Sequence, residues 1–206
     1  MDSSSDAERW RRVTVVLLAG GSGRRLGGRH KPGIMVRGQS LLDRVLAAWP
    51  VDVEAVVVGP KQPTARSVRW CRESPVGGGP VSAVAAAMPL VTTDLVALVG
   101  ADMPLIGPAV SPLVDAAAVA ISAGRDGAWL VSSTGRQQPL GSCVSRTALT
   151  AALPAETDGQ ALFPVLQTLA LSEVPAKDDW LLDTDTEDDL ARVTQLLDQL
   201  EGRHHD

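Results

Sequence analysis

The feature that most constrains the fold is an apolar, β-branched run followed directly by a loop rich in glycine and basic residues. The run VTVVLLA spans residues 13–19, and the chain continues as GGSGRRLGGRHKPG. A run without polar alternation is typical of a strand buried on both faces. Glycine permits tight turns and close approach of a ligand, and consecutive backbone N–H groups form a concave anion site. The sequence therefore predicts a phosphate-binding loop at the end of a first strand.

The rest of the chain alternates short apolar runs with helical patterns. Strands are predicted from β-branched runs at 54–59, 68–71, 95–102, 127–133 and 138–144. Helices are predicted from apolar spacing and capping residues at 41–49 after Ser40, 80–88, 145–153, 159–170 and from Thr186 onward. Because strands and helices alternate at this spacing, we expect an α/β fold with a doubly wound, mostly parallel sheet.

The length of 206 residues predicts one domain over residues 1–206, with flexible ends at 1–12 and 201–206. The last predicted helix begins with three acidic residues, which suit a helix N-terminus. Its apolar residues recur at helical spacing and predict a buried stripe of Leu190, Val193, Leu197 and Leu200.

Composition argues against several classes of protein. The net charge of −5 and the pI near 5.2 disfavour a nucleic-acid-binding protein. No run approaches the roughly 20 apolar residues of a membrane span, and the polar N-terminus is unlike a signal peptide. Cys71 and Cys143 lack metal-ligand spacing, as is typical of reduced thiols. We therefore expect a cytoplasmic protein that contacts neither nucleic acid nor membrane.

Positive charge around the glycine-rich loop supports phosphate as its ligand. Gly20, Gly21 and Gly23 would offer backbone N–H groups, and Arg25 and Lys31 would add positive charge. The P-loop spacing GxxxxGK[ST] is absent from the sequence. A GxGxxxG pattern is present, but the predicted second strand lacks the acidic residue that binds ribose in dinucleotide-binding proteins. A turn without a ligand is the remaining alternative.

An acidic residue is expected at the same edge of the sheet. Asp102 ends the predicted strand 95–102, and open α/β sheets bind ligands at the carboxyl ends of their strands. Polyphosphates bind with divalent cations, for which carboxylate oxygens are suitable ligands. Asp102 is therefore the leading candidate for a magnesium ligand, and the alternative is that it caps the next turn.

The glycine-rich segment resembles a known family. LAGGSGRRLGGRHK is similar to the signature LAGGxSxRMGxxK of sugar-nucleotide and cofactor nucleotidyltransferases, with Gly23 where a serine is usual. The doubled glycine before the lysine segment resembles molybdenum cofactor guanylyltransferases, and His30 replaces the aspartate common there. ADMP at 101–104 is similar to CDMP, whose aspartate binds magnesium in that family. The resemblance implies a Rossmann-like, three-layer α/β/α fold of the nucleotide-diphospho-sugar transferase type.

Two further segments resemble motifs of the family. RESPVGGGPVSAV is similar to RDxxPGxGPLAG, which implies that Glu73 and Gly79 lie near the nucleotide; the alternative is a packing loop. GRQQPLGSCVSR is similar to GRxQPLxAxYR, which implies that Arg136 and Gln138 lie on the acceptor side; the alternative is a surface turn.

The acidic segment LLDTDTEDDL is similar to the family's NxNTPEDL, with Asp183 and Asp185 in the places of the asparagines. The resemblance favours Asp185 as a second metal ligand facing Asp102. The alternative is that Asp185 caps the helix that begins near Thr186.

The resemblance implies transfer of GMP from MgGTP to the terminal phosphate of molybdopterin, with release of pyrophosphate. The expected residues are catalytic Arg25, Lys31 and Asp102; nucleotide-binding Leu18, Ala19, Gly20, Gly21, Gly23, Lys31, Glu73, Gly79 and Asp102; acceptor-binding Arg136 and Gln138; and metal-binding Asp102 and Asp185. The expected cofactor is Mg²⁺, and the expected partners are the two small-molecule substrates and, transiently, proteins that mature molybdoenzymes. Two alternatives stay open: a transferase that uses CTP with molybdopterin or GTP with phospholactate, and a non-catalytic nucleotide-binding module.

Overall fold

The computed structural model describes residues 3–20 and 31–202. The expected phosphate loop from residue 21 to residue 30 and the last four residues lie outside this part of the chain. The strands are β1 (Val13–Leu18), β2 (Met35–Val36), β3 (Gln39–Ser40), β4 (Glu54–Val58), β5 (Arg69–Cys71), β6 (Leu95–Gly100), β7 (Gly127–Val131), β8 (Gln137–Ser145) and β9 (Leu171–Pro175). The helices are α1 (Ser3–Arg11), α2 (Leu41–Ala47), α3 (Gly79–Ala87), α4 (Gly107–Ser122), α5 (Arg146–Ala152), α6 (Leu162–Gln167) and α7 (Glu187–Gly202).

Seven strands form one sheet in the order β5-β4-β1-β6-β8-β7-β9, and β2 pairs with β3 in a separate hairpin. β8 is antiparallel to both of its neighbours, whereas the other neighbouring pairs are parallel. The mostly parallel sheet is therefore confirmed. The strand order reverses at β1, which has β4 on one side and β6 on the other. Open α/β sheets bind ligands at such a switch point, outside the carboxyl ends of the strands.

Helices cover both faces of the sheet and enclose two apolar cores, which makes three layers. One core contains residues of α2 and α4, and the other contains residues of α3, α5 and α6. β1 contributes to both cores because all six of its residues are buried. A continuous apolar run at residues 13–18 fits this position, since neither face of the strand meets water.

A third, smaller cluster joins α7 to the segment that follows the glycine-rich loop. It contains Val193 and Leu197 from α7 together with Ile34, Val36, Leu41 and Leu105. An ion pair between Arg37 and Asp198 adds a polar contact between the β2–β3 hairpin and α7. The expected stripe on α7 is therefore correct at Val193 and Leu197. It is wrong at Leu200, which lies beyond the cluster and is 45% exposed.

Local capping explains where α2 begins. Ser40 precedes the helix in an extended conformation, and its hydroxyl oxygen accepts a hydrogen bond from the Asp43 N–H at 3.0 Å. A serine in this position supplies a partner for a backbone N–H group that the first helical turn leaves free. The predicted N-cap at Ser40 is confirmed.

The polar N-terminal segment forms a helix where the sequence indicated a flexible end. Trp10 of α1 is 9% exposed and packs edge-on against Trp49, with ring centroids 6.1 Å apart. This apolar contact offsets the low helical preference of a serine-rich segment. No helix in the described part of the chain has both the length and the apolar character needed to cross a bilayer.

Candidate active site

The carboxyl ends of β1 and β6 bring two distant parts of the chain together. Leu18 and Gly100 are register partners at the ends of these parallel strands. The Ala101 N–H then donates to the Leu18 carbonyl at 3.1 Å, so the backbone before Asp102 runs beside the end of β1. Asp102 therefore lies at the edge from which the chain enters the glycine-rich loop, as the sequence predicts.

The three expected nucleotide-binding residues at the end of β1 differ in accessibility. Leu18 and Ala19 are buried, and the Ala19 N–H donates to the Val58 carbonyl at 2.9 Å. Gly20 is exposed at the edge of the sheet. Of the three, Gly20 alone is accessible to solvent. Gly21, Gly23 and Arg25 lie outside the described residues, so their expected roles stay predictions.

Lys31, where the described chain resumes, reaches back to this edge. Its Nζ lies 3.4 Å from Oδ2 of Asp102 and also forms an ion pair with Asp185. The side chain is only 14% exposed. Burial alone lowers the pKa of Lys31, but the hydrogen bond and charge of Asp185 and the charge of Asp102 outweigh it, and the pKa lies above its ordinary value. Lys31 is therefore a firmly charged ammonium between two carboxylates.

The surroundings of Asp102, in contrast, disfavour its charged form. Burial raises its pKa above the ordinary value, the nearby Lys31 ammonium partly offsets this, and Asp183 and Asp185 add to the increase. A carboxylate in such surroundings is stabilised by any further cation that reaches it.

The acidic segment, residues 183–186, is fixed against Asp102 by hydrogen bonds. The backbone N–H and the hydroxyl of Thr184 both donate to the Asp102 carbonyl, at 3.0 and 3.1 Å. At the start of α7, Asp189 accepts hydrogen bonds from the backbone N–H groups of Asp185 and Thr186. In return, the Thr186 hydroxyl accepts a hydrogen bond from the Asp189 N–H at 3.1 Å, so Thr186 caps α7, whereas the Asp185 carboxylate pairs with Lys31.

The residues present are suited to a magnesium ion bound together with a nucleotide. Asp102 and Asp185 share one ammonium, which shows that a single cation can contact both carboxylates. Among the described residues, no cluster of three acidic, cysteine or histidine side chains could hold a metal. Mg²⁺ is commonly held by one or two carboxylates, with substrate phosphates and water as its other ligands. Two carboxylates at the edge of the sheet where the expected phosphate loop begins fit that pattern.

A cavity of about 360 Å³ opens beside Asp102. Its polar lining includes Asp102, Asp183, Arg136 and Gln138. The apolar lining comes from Pro80, Met103, Pro139, Leu140, Ala161, Leu162, Phe163 and Leu181. The structure thus brings the two expected acceptor residues to the same cavity as the candidate metal ligand.

A tight turn orients the acceptor side of the cavity. The Ser132 N–H donates to the Arg136 carbonyl at 2.9 Å, and the Arg136 N–H donates to the Ser132 hydroxyl at 3.0 Å. Gly135 within this turn has a φ of +80°, a conformation that glycine adopts without strain. The turn leads directly into β8, which carries Gln138 along the cavity wall.

The segment 73–80, which ends in the first turn of α3, reaches the cavity only in part. Pro80 lines the cavity, and Gly79 before it has a φ of +88° and lies against the Gln160 carbonyl, which a Cβ would approach to 3.4 Å. The Glu73 carboxylate accepts a hydrogen bond from the Gly77 N–H at 3.0 Å and so closes its own loop. Glu73 is not part of the cavity wall around Asp102.

Two features of the site were missed in the sequence analysis. Phe163 lines the cavity and stacks on Trp129, with ring centroids 6.0 Å apart. Thr184 is fully buried against Asp102. Neither residue stands out in the sequence. Thr184 lies between two acidic residues that resemble the family motif, and the place of Phe163 in the cavity wall depends on how α6 packs.

Comparison with known proteins identifies the family and the fold of the chain. The model of the MobA-like NTP transferase domain family matches residues 15–174. Molybdopterin-guanine dinucleotide biosynthesis protein A from Archaeoglobus fulgidus has a similar structure, with a TM-score of 0.67, 22% identity, and coverage of 90% of this chain and 99% of that one. An Rv0371c homolog from Mycobacterium sp. strain JC1 gives a TM-score of 0.70 and 23% identity, with coverage of 92% and 98%.

A second kind of transferase shares the fold. The 2-C-methyl-D-erythritol 4-phosphate cytidylyltransferase of Thermus thermophilus gives a TM-score of 0.63 and 17% identity, with coverage of 90% of this chain and 98% of that one. At these identities, the structural matches show a common fold. No curated protein sequence matches the chain significantly. The family model spans most of the chain and includes most of β1, Lys31, Asp102 and the cavity residues of β8, whereas the acidic segment 183–186 lies beyond the match. The chain therefore belongs to the MobA-like NTP transferase domain family and has its nucleotidyltransferase fold.

Proposed function

We propose that this chain, acting as a single domain over residues 1–206, transfers GMP from GTP to the terminal phosphate of molybdopterin and releases pyrophosphate. The observation that carries the proposal is the Lys31–Asp102–Asp185 cluster beside a cavity lined by Arg136 and Gln138. The cluster suits a triphosphate bound with a metal, and the cavity suits a second substrate. The resemblance of the glycine-rich segment to guanylyltransferases favours GTP and molybdopterin.

The nucleotide would bind across the end of β1. The Gly20 backbone, continued by the loop with Gly21 and Gly23, would donate N–H groups to phosphate oxygens. Lys31 and Arg25 would neutralise the negative charge that builds up on the leaving pyrophosphate. Because the Lys31 ammonium already contacts two carboxylates, it can exchange one of them for a phosphate without a large movement. The segment from Glu73 to Gly79, where α3 begins, would lie beside the nucleoside.

The metal would be held by Asp102 and Asp185. A divalent cation held by these two carboxylates would offset the negative charge of the triphosphate. The positive charge of the cation would lower the pKa of Asp102, which burial raises, and would favour the ionised carboxylate. Burial of this side chain is therefore compatible with the proposed function.

The acceptor would lie in the 360 Å³ cavity, between Asp102 and the turn that carries Arg136. The guanidinium of Arg136 can donate two parallel hydrogen bonds to phosphate oxygens, and the Gln138 amide can donate to and accept from a heterocycle. In this chain, Val144 stands where the family motif has an aromatic residue. Phe163 supplies an aromatic surface from another element of the same cavity.

The reaction needs positioning and charge neutralisation more than a base. An oxygen of the acceptor phosphate attacks the α-phosphorus, the bond from that phosphorus to the bridging oxygen breaks, and pyrophosphate leaves with the electron pair. The attacking oxygen is already negatively charged, so no protein group has to remove a proton from it. Holding the two substrates in line accounts for most of the rate in such a mechanism.

A cytidylyltransferase or a guanylyltransferase for another cofactor precursor is the second candidate. Two observations favour it: the acidic residues Asp183 and Asp185 replace the asparagines of the guanylyltransferase motif, and a cytidylyltransferase shares the fold. This candidate would use the same cluster and cavity with CTP, or with phospholactate as acceptor.

The test is incubation with Mg²⁺, molybdopterin and each nucleoside triphosphate in turn, with phospholactate as an alternative acceptor and mass analysis of the product. We expect a guanine dinucleotide of molybdopterin and an equal amount of pyrophosphate from GTP alone. A cytidylyl product or a phospholactate product would instead establish the second candidate. Binding of GTP without pyrophosphate release from any pair would contradict transferase function and indicate a nucleotide-binding module.

A further inference from the structure

Thr184 occupies an unusual place for a polar residue. It is fully buried, and both of its donors serve one acceptor, the carbonyl oxygen of Asp102. The N···O distance is 3.0 Å and the Oγ1···O distance is 3.1 Å. Since a carbonyl oxygen has two lone pairs, Thr184 fills the hydrogen-bonding capacity of this group.

The neighbours of Thr184 are the two acidic residues of the segment, and they contact different parts of the site. Asp183 lines the cavity together with Asp102, and Asp185 pairs with Lys31. The hydrogen bonds of Thr184 therefore fix where both carboxylates lie relative to Asp102. A shift of Thr184 along the chain direction would move both of them together.

The far end of the segment is already anchored. Asp189 accepts hydrogen bonds from Asp185 and Thr186, and α7 is held in the third apolar cluster through Val193. Between this anchor and β6, the two hydrogen bonds of Thr184 to the Asp102 carbonyl tie the acidic segment to the residues that follow β6.

We propose that Thr184 is a positioning residue that sets the spacing between the Asp102 and Asp185 carboxylates for a divalent cation. This inference rests on the metal site of the proposed function. Mg²⁺ demands near-ideal octahedral geometry, so a small displacement of one ligand weakens binding. Groups that orient metal ligands typically change metal affinity by about 10- to 100-fold when they are removed.

The test compares Thr184→Ser, which keeps the hydroxyl, with Thr184→Val and Thr184→Ala, which remove it. Thr194→Val is the matched control, because the Thr194 hydroxyl donates to the Leu190 carbonyl within α7 and does not contact Asp102. The probe is Mn²⁺, with the free ion measured by electron paramagnetic resonance at increasing protein concentration, with and without GTP. Thermal unfolding of each variant shows whether it is folded.

We expect Thr184→Val and Thr184→Ala to bind Mn²⁺ about tenfold more weakly than the wild type. Thr184→Ser and Thr194→Val should bind it as the wild type does. If Thr184→Val does not fold, the comparison between Thr184→Ala and Thr184→Ser still isolates the hydroxyl. In the pyrophosphate assay, the Mg²⁺ concentration at half-maximal rate should rise while the KM for GTP at saturating Mg²⁺ stays constant.

Unchanged Mn²⁺ binding by Thr184→Ala would overturn the inference, and so would equal weakening by Thr184→Ala and Thr184→Ser, because packing would then be the cause. A wild-type chain that binds Mn²⁺ but releases no pyrophosphate would contradict the proposed function instead. In that case, the Mn²⁺ affinities of the variants still decide the role of Thr184.

Discussion

Asp102 combines two properties that work against each other. Its backbone is held by β6 and by Thr184, which gives a fixed position, but its side chain is buried enough to disfavour the charged form. The pKa of Asp102 remains above its ordinary value, so Lys31 offsets only part of the free-energy cost of burying the charge. A carboxyl group with a raised pKa in such a position is typical of a residue that serves binding or catalysis rather than stability.

Replacement of Asp102 by asparagine should separate these two roles. A carboxyl whose pKa is raised by folding binds its proton more tightly in the native state, so its contribution to stability decreases as the pH rises from about 4 through the raised pKa. An asparagine side chain would carry no charge at any pH. We expect Asp102→Asn to melt at about the same temperature as the wild type near pH 4 and at a higher temperature at pH 8, while pyrophosphate release falls by about 100-fold or more.

Melting curves of both proteins at several pH values provide the measurement. Glu156→Gln is the control, since Glu156 is exposed and replacing it should leave the difference between pH 4 and pH 8 unchanged. A lower melting temperature for Asp102→Asn at pH 8 would show that the Asp102 carboxylate stabilises the fold and would contradict this account.

Residues of the site differ in how far the sequence could predict them. Lys31, Asp102 and Asp185 follow strand ends or recognisable motifs, and the structure brings these three together. Arg136 and Gln138 likewise lie at one cavity with Asp102. Thr184 and Phe163 could not be predicted, because each matters through a contact with a residue far away in the sequence.

Among the elements, α7 contacts two separate segments of the site. It packs on the β2–β3 hairpin that follows Lys31, and its N-terminus carries the acidic segment. One helix therefore positions Asp185 and contacts the segment that carries Lys31. Loss of this packing would disturb both partners of the ion pair.

Two leucines of α7 test this packing as a matched pair. Leu197 is 7% exposed in the third apolar cluster, whereas Leu200, one turn later, is 45% exposed. Leu197→Ala should lower the free energy of unfolding by about 2–4 kcal/mol because it leaves a cavity. Leu200→Ala should change it by about 0.5 kcal/mol, as at other exposed positions. Urea unfolding of the three proteins provides the comparison, and equal losses would contradict the orientation of α7.

Periodicity and capping predicted most of the longer strands and helices, whereas α1, α4, β9 and the β2–β3 hairpin were not predicted. α4 begins with Gly107 and Pro108, and a proline in the first turn suits a helix start, but Pro112 lies inside the helix, where proline disfavours a continuous 16-residue helix. Burial of Leu113 and other residues of its inner face outweighs that preference. β9 directly follows the predicted helix 159–170, and the sequence analysis predicted no element there. Its parallel pairing with β7 defines it as a strand.

At the scale of the whole molecule, the strand order explains why the site lies where it does. The reversal at β1 leaves the ends of β1 and β6 open between the crossover connections to either side. Asp102, Asp185 and Lys31 approach this opening from different parts of the chain. The cavity for the acceptor adjoins it on the β8 side, so the two substrates would meet at Asp102.

The central claim is that Asp102 and the phosphate loop bind one metal triphosphate between them. The most direct measurement is a crystal structure with Mn²⁺ and a non-hydrolysable GTP analogue, in which anomalous scattering locates the metal. The account predicts a manganese peak coordinated by the Asp102 carboxylate and by phosphate oxygens, with the Lys31 ammonium against the same triphosphate. A triphosphate bound at the opposite edge of the sheet, or a metal peak away from Asp102, would contradict it.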